Sequence, residues 1–357
     1  MLQRHIDPWE EYLRGDPDHQ IVDTQRPNYL PLLYVLLSPL ALTSLATAKL
    51  AWAGCNLIFA VGSGTLVSRI YGMSRWGSAM LVCLFLMATP TRNAIGNGQQ
   101  SLLVLFIWSL TLLSAEQGRI RTAASGISYF KFNFSPPLAL FLLFRFGVKT
   151  FILSLVPAIA GVVLVWFWLG GASHPLLLWK IALEPFAAGI HGYTQDTRDP
   201  NLMSLMDPVL AESPEMLRNL LEFGAAMAVC VGLAALGFRY KTQGSLQWQL
   251  SLLAVADFAL FKHHSYDAVV LLFPMCFALR QFWRWEAKGI LLLVGYFFYL
   301  QKCLEVVHLA EDWMRYPEFI FLLCILAMTF RLSTLRPFAP SLVEGGSPSS
   351  AAKGAMA

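Results

Sequence analysis

Lys131 stands in the middle of an apolar run, where the sequence reads Tyr-Phe-Lys-Phe-Asn-Phe-Ser-Pro-Pro over residues 129–137. The residues on either side, 122–130 and 138–144, are apolar enough to be lipid-buried helix. A lysine at hydrocarbon depth is expensive, so it is paired, snorkelled to an interface, or functional. Pro136 and Pro137 withdraw two backbone donors and disfavour helix in the residue before them. Irregular backbone at membrane depth persists only where protein shields it or where it lines a wet cavity. The stretch therefore predicts a polar site inside a membrane protein. Other polar groups stand out against the same background: Gln99 and Gln100 ahead of an apolar run, and His263, His264 and Asp267 after one. The two glutamines can cap the run at Ser101 or bond to a neighbouring helix. His263 and Asp267 are spaced i, i+4 and can share a helix face, whereas adjacent His263 and His264 point about 100° apart. That pattern suits a polar loop end better than a metal site, and no carboxylate cluster is present to hold a divalent cation.

The elements that must position these residues are apolar helices. The 357-residue chain is 56% hydrophobic and 13% charged, with a mean hydropathy of +0.55. A soluble domain carries about 25% charged residues, so the chain reads as an all-α polytopic membrane protein. A net charge of +4, spread in short clusters between apolar runs, speaks for membrane topology and against nucleic-acid binding. The six cysteines lie mostly in apolar runs at no metal-ligand spacing. Nine spans are predicted, at 46–68, 78–88, 101–113, 151–169, 219–238, 246–261, 267–279, 289–300 and 319–330. Residues 29–42 are too short to cross and read as an interfacial helix. By the bias of Lys and Arg, the C-terminus, 280–288, 239–244 and 145–149 lie inside, and the acid-rich loop 170–218 lies outside. Arg119 and Arg121 also belong inside. Residues 122–144 must then enter and return as a re-entrant helical pair, with Lys131 near the turn and open to the external face. The chain divides into an external loop with its interfacial helix (1–45), a transmembrane domain (46–336) and a disordered cytoplasmic tail (337–357).

Polar groups thus gather at one membrane face, which fits an enzyme acting on a membrane-anchored substrate or a transporter. The ordered pieces that narrow this choice are Asp7-Pro-Trp-Glu-Glu-Tyr12, Asn28-Tyr-Leu-Pro31 with Ser38-Pro-Leu40, and Gly98-Gln99. They continue with Gly126-Ile-Ser-Tyr-Phe-Lys131 before Pro136-Pro137, Asn201-Leu-Met-Ser-Leu205, and His264-Ser-Tyr-Asp267 leading to Leu271-Leu-Phe-Pro274. Their order resembles glycosyltransferase family 87, integral-membrane sugar transferases of the GT-C type, over roughly residues 7–278. The sequence departs from the family pattern at its start. No apolar helix precedes Asp7, which predicts an apolar segment encoded upstream of Met1.

The resemblance implies a GT-C-like fold and transfer of a hexosyl (mannosyl-like) or pentosyl unit. The partners it implies are a polyprenyl-phosphate sugar donor, an extracytoplasmic glycan or lipid acceptor, and the lipids of a plasma (inner) membrane. No cofactor and no metal is needed. In enzymes of this type an acidic residue of the first external loop serves as base, and Asp7 matches that position, with Glu10, Glu11 and Asp16 as competitors. A leaving phosphate asks for a cation near its oxygens, and Lys131 is the candidate. Gln99, Gln100, Asn133, His264 and Asp267 are the expected substrate-binding residues. A transporter or flippase of a lipid-linked or polar solute is the alternative, and it would more often show an internal repeat and paired broken helices. A non-catalytic subunit of an envelope-glycan assembly is a third reading.

Overall fold

The computed structural model of the chain describes residues 29–113, 118–168, 200–206, 208–239, 246–261, 263–306 and 314–334. These residues are mostly helical, with no strand among them. Among the described residues two helices are long and apolar enough to cross a membrane unaided: α2 (Leu45–Ile70), which follows the short α1 (Leu32–Leu37), and the later Val148–Trp168. At 26 residues α2 is about 39 Å long, more than the ~30 Å of hydrocarbon. Ser44 starts it by accepting from Thr47 N at 3.2 Å. Leu50, Leu57 and Ile58 stand exposed along its side, as a lipid-facing surface requires. α3 (Arg75–Met87) and α4 (Thr89–Gly96) follow, bent by 61° at Ala88, where Pro90 opens α4. Most of the stretch between the predicted spans 78–88 and 101–113 is therefore helix, and Gly98, with φ +65°, turns the chain just past its end. The predicted spans 101–113, 219–238, 246–261 and 267–279 fall on shorter apolar helices, the first of them α5 (Ser101–Leu113).

The stretch around Lys131 is built as two arms on one support. The first arm is α6 (Arg119–Ala123) continued by a 3-10 segment, Ala124–Phe130. The second is α7 (Ser135–Phe146), which turns at Gly147 (φ +89°) into α8 (Val148–Trp168). Both arms pack on α8. Tyr129 Oη lies 2.9 Å from Ser154 Oγ, and the Phe130 carbonyl accepts from Leu30 N at 2.8 Å. Leu32, two residues on from that contact, abuts Gly161 of α8. The first arm therefore climbs α8 from Ser154 toward Gly161, and α7 descends beside it. Twelve residues of α7 separate the tip from the Gly147 turn, about 18 Å along the helix. Pro136 and Pro137 occupy the first turn of α7, where their missing N–H groups cost nothing, so they start this helix rather than break it. The irregular residue is Lys131 itself, with φ −99° and ψ 92° between two 3-10 segments.

After α9 (Leu202–Met206) and α10 (Glu215–Arg239), α11 (Leu246–Leu260) forms the centre of the molecule. Every residue from Trp248 to Leu260 is buried, so α11 is enclosed on all sides. The 3-10 segment Ser265–Leu271 and α12 (Leu272–Leu279) lie against it. The predicted span over 267–279 thus begins as 3-10 helix and continues as α-helix from Leu272. α13 (Trp285–Gly295) runs through a π turn at Tyr296–Leu300 into α14 (Gln301–Val306), and α15 (Arg315–Thr334) closes the bundle. The π turn aims Tyr296 Oη at Glu318 of α15, 2.6 Å away, which places polar partners inside the bundle.

Candidate active site

The two arms deliver Lys131 into a polar pocket formed by three other elements. Its Nζ donates to Ser101 Oγ at 2.8 Å and forms an ion pair with Asp267 Oδ1, to which Ser101 also donates. Ser101 is the first residue of α5, and Asp267 lies in the first turn of the 3-10 segment after α11. Lys131 is only 3% exposed and Asp267 is fully buried, so the pair is shielded from water. The ammonium also sits 5.2 Å from the ring centroids of both Phe134 and Tyr266, a cation–π distance. A lone buried cation would be costly. One carboxylate, one hydroxyl and two ring faces offset that cost here.

The charge pattern continues past Asp267. Its Oδ2 accepts from the backbone N–H of His264 at 3.3 Å and faces Nδ1 of His263 at 3.2 Å. The other ring nitrogen of His263, Nε2, approaches Asp257 Oδ2 of α11 at 3.4 Å. That approach is an ion-pair distance rather than an aligned hydrogen bond, and among the described residues neither Asp257 oxygen has a hydrogen-bond donor. The His263 ring is held between Phe134 (4.7 Å) and Phe258 (5.6 Å, stacked). With a carboxylate facing each nitrogen, His263 is placed as a paired side chain rather than as a metal ligand. Among the described residues no group of His, Cys, Asp and Glu has metal-holding geometry.

A second set of contacts ties the N-terminal segment to this pocket. Tyr29 Oη donates to Gln99 Oε1 at 3.2 Å, and Trp52 Nε1 donates to the Gly98 carbonyl at 2.7 Å. The buried Asn56, with its amide oriented to satisfy both neighbours, donates to the Gln99 carbonyl at 3.1 Å. Because Leu30 bonds to Phe130 and Ser101 to Lys131, these contacts close a ring through residues 29–30, 99–101 and 130–131. On the far side of the first arm, Trp108 Nε1 donates to Ser128 Oγ at 2.8 Å.

Of the residues predicted from sequence, Lys131 and Asp267 are brought into direct contact. Asn133 is buried two positions from Lys131, and Gln99 lies in the adjoining ring of contacts. Gln100 precedes Ser101, with its Oε1 buried and lacking a hydrogen-bond partner. His264 is half-buried at the rim, its ring against Tyr266 at 5.0 Å, while its neighbour His263 enters the cluster. Asp7 lies outside the described residues. Lys131 is no bare cation awaiting an anion, because Asp267 already neutralises it. Sequence reasoning passed over Ser101 and Asp257. The signal for Asp257 was available: it is the only acid within the apolar run 246–261, and acids inside such runs are rarely incidental.

The family model of glycosyltransferase family 87 matches residues 28–261. The chain belongs to glycosyltransferase family 87. It is accordingly a membrane glycosyltransferase with a sugar donor and an acceptor. No curated protein and no solved structure matches the chain. The family 87 match takes in Gln99, Ser101, Lys131, Asn133 and Asp257 and stops two residues short of His263. In this family 87 chain, then, one wall of the Lys131 pocket comes from the matched region and the other from the stretch just after it.

Proposed function

We propose that the protein transfers a hexosyl (mannosyl-like) or pentosyl unit from a polyprenyl-phosphate sugar to a glycan or lipid acceptor at the extracytoplasmic face of the inner membrane. The observation that carries this reading is a buried lysine at the tip of a two-armed segment in a family 87 chain. In a direct displacement, the acceptor hydroxyl oxygen forms a bond to the anomeric carbon while the bond from that carbon to the phosphate oxygen breaks. The hydroxyl proton goes to a carboxylate, for which Asp7 is the candidate, and the electron pair leaves with the polyprenyl phosphate. Lys131 then serves the phosphate oxygens. Asn133, Gln99, Gln100 and His264 are the proposed contacts to the sugar or the phosphate, and Asp267 holds Lys131 until the donor arrives.

Replacing Asp7 with Asn in membranes supplied with a radiolabelled polyprenyl-phosphate sugar is expected to reduce transfer by at least about a hundredfold, as loss of a general base does. Membrane insertion should be unchanged. Transfer at the wild-type rate would remove Asp7 from the mechanism. Solute crossing sealed liposomes with no new glycosidic bond would favour the transporter reading instead.

A further inference from the structure

The tip carries a chain of alternating charges, Lys131–Asp267–His263–Asp257. With all four ionised, the cluster is neutral. Asp267 accepts from Lys131, Ser101 and the His264 backbone, whereas Asp257 is fully buried and its oxygens accept from no donor among the described residues. Among the described residues the ionisable groups around Asp257 are His263, Asp267 and Lys131, with Cys230 of α10 also within electrostatic reach. Of these, only His263 stands at contact distance.

A neutral buried cluster offers no net attraction to an anion. Seating one fixed negative charge beside Lys131 would leave the site one charge negative, in surroundings where an uncompensated charge is costly. One extra proton restores neutrality, and a carboxylate with no donor of its own is where that proton is least opposed. We propose that Asp257, acting through His263, is the charge-compensating residue of the donor site, so that an anionic phosphodiester binds at Lys131 together with uptake of one proton by the Asp257–His263 pair. This inference rests on the reading of Lys131 as the phosphate ligand. Asp257 touches no substrate; it is a positioning residue that sets the charge Lys131 presents. Because the bound state holds one proton more than the free state, affinity falls as pH rises, by up to about tenfold per pH unit.

The test uses the full chain in detergent with farnesyl methyl phosphate, a diester whose single charge does not titrate, and farnesol as the uncharged control. Calorimetry should show diester affinity falling between about pH 6 and about pH 8.5 with proton uptake, and farnesol affinity staying level. Asp257→Asn removes the competing charge at nearly constant volume. It should bind the diester about tenfold more tightly than wild type at the higher pH, with a shallower pH slope. His263→Gln, which removes a cation from the cluster, should bind it more weakly. Lys131→Met should bind the diester no better than farnesol. A level wild-type pH profile overturns the inference whatever the variants do. Asp257→Asn matching wild type in affinity and slope, beside a weakened Lys131→Met, overturns the inference and leaves Lys131 as the phosphate ligand. Unchanged diester binding by Lys131→Met overturns both.

Discussion

Replacing Lys131 with Met is expected to destabilise the protein and abolish sugar transfer, and adding Asp267→Asn is expected to restore the first loss but not the second. The single substitution leaves a fully buried carboxylate that has lost its ammonium partner. Breaking a buried pair from one side costs up to about 3–5 kcal/mol, and here His263 is the cation that stays beside Asp267, leaving the cluster one charge negative. In the double variant the charge is gone; an amide oxygen in the Oδ2 position would still accept from the His264 backbone, and the NH2 beside it would face the Ser101 hydroxyl, which can accept. Replacing both members of a buried pair is often nearly neutral for stability, so most of the loss should return. Transfer should not return if Lys131 serves the phosphate. Thermal unfolding in detergent and transfer from a polyprenyl-phosphate sugar separate the two effects. A double variant that regains transfer along with stability would show that Lys131 only holds the fold together.

The all-helical class and the existence of a polar site at Lys131 were legible in the sequence, because both rest on the cost of polar atoms among apolar residues. Lys131 in a run of phenylalanines carries that signal by itself. Its partners were harder to read. Asp267 and Ser101 are 136 and 30 residues away in sequence, and such pairings are set by packing rather than by spacing. The choice of His264 over His263 shows the same limit. Adjacent residues on a turn face different ways, and only the placement of α11 decides which ring meets the acids. Hydropathy also marked stretches such as 78–88 and 267–279 as spans, though the structure bends the chain at Ala88 and winds 265–271 as 3-10 helix. Hydropathy registers burial, and these segments are apolar because protein as well as lipid surrounds them.

The second large effect is expected at Gly126, which touches none of the polar groups. A Cβ there would stand 1.9 Å from the Ser154 carbonyl oxygen and 2.7 Å from its carbon. Those atoms are backbone of α8 and cannot turn aside as a side chain would, so Gly126→Ala must push the first arm away from α8. Forcing a methyl into a packed interior costs about 1–3 kcal/mol. The larger consequence falls on the tip. Tyr129 bonds to Ser154 and Phe130 to Leu30, two residues and one residue before Lys131, so a shift of the arm travels directly to the ammonium. A displacement of about 1 Å at a reacting centre can lower a rate by about a hundredfold, and transfer should fall by that order while most of the fold survives. Gly54→Ala is the matched control. It lies within α2 with nothing inside 4 Å of its added carbon, and alanine there should stabilise the helix by up to about 1 kcal/mol with transfer unchanged. Transfer by Gly126→Ala at the wild-type rate would mean that the seat of this arm on α8 does not position Lys131. An equal loss in Gly54→Ala would mean that the assay reports general disruption of the helices. Only a loss confined to Gly126 ties the rate to the placement of the lysine at the tip.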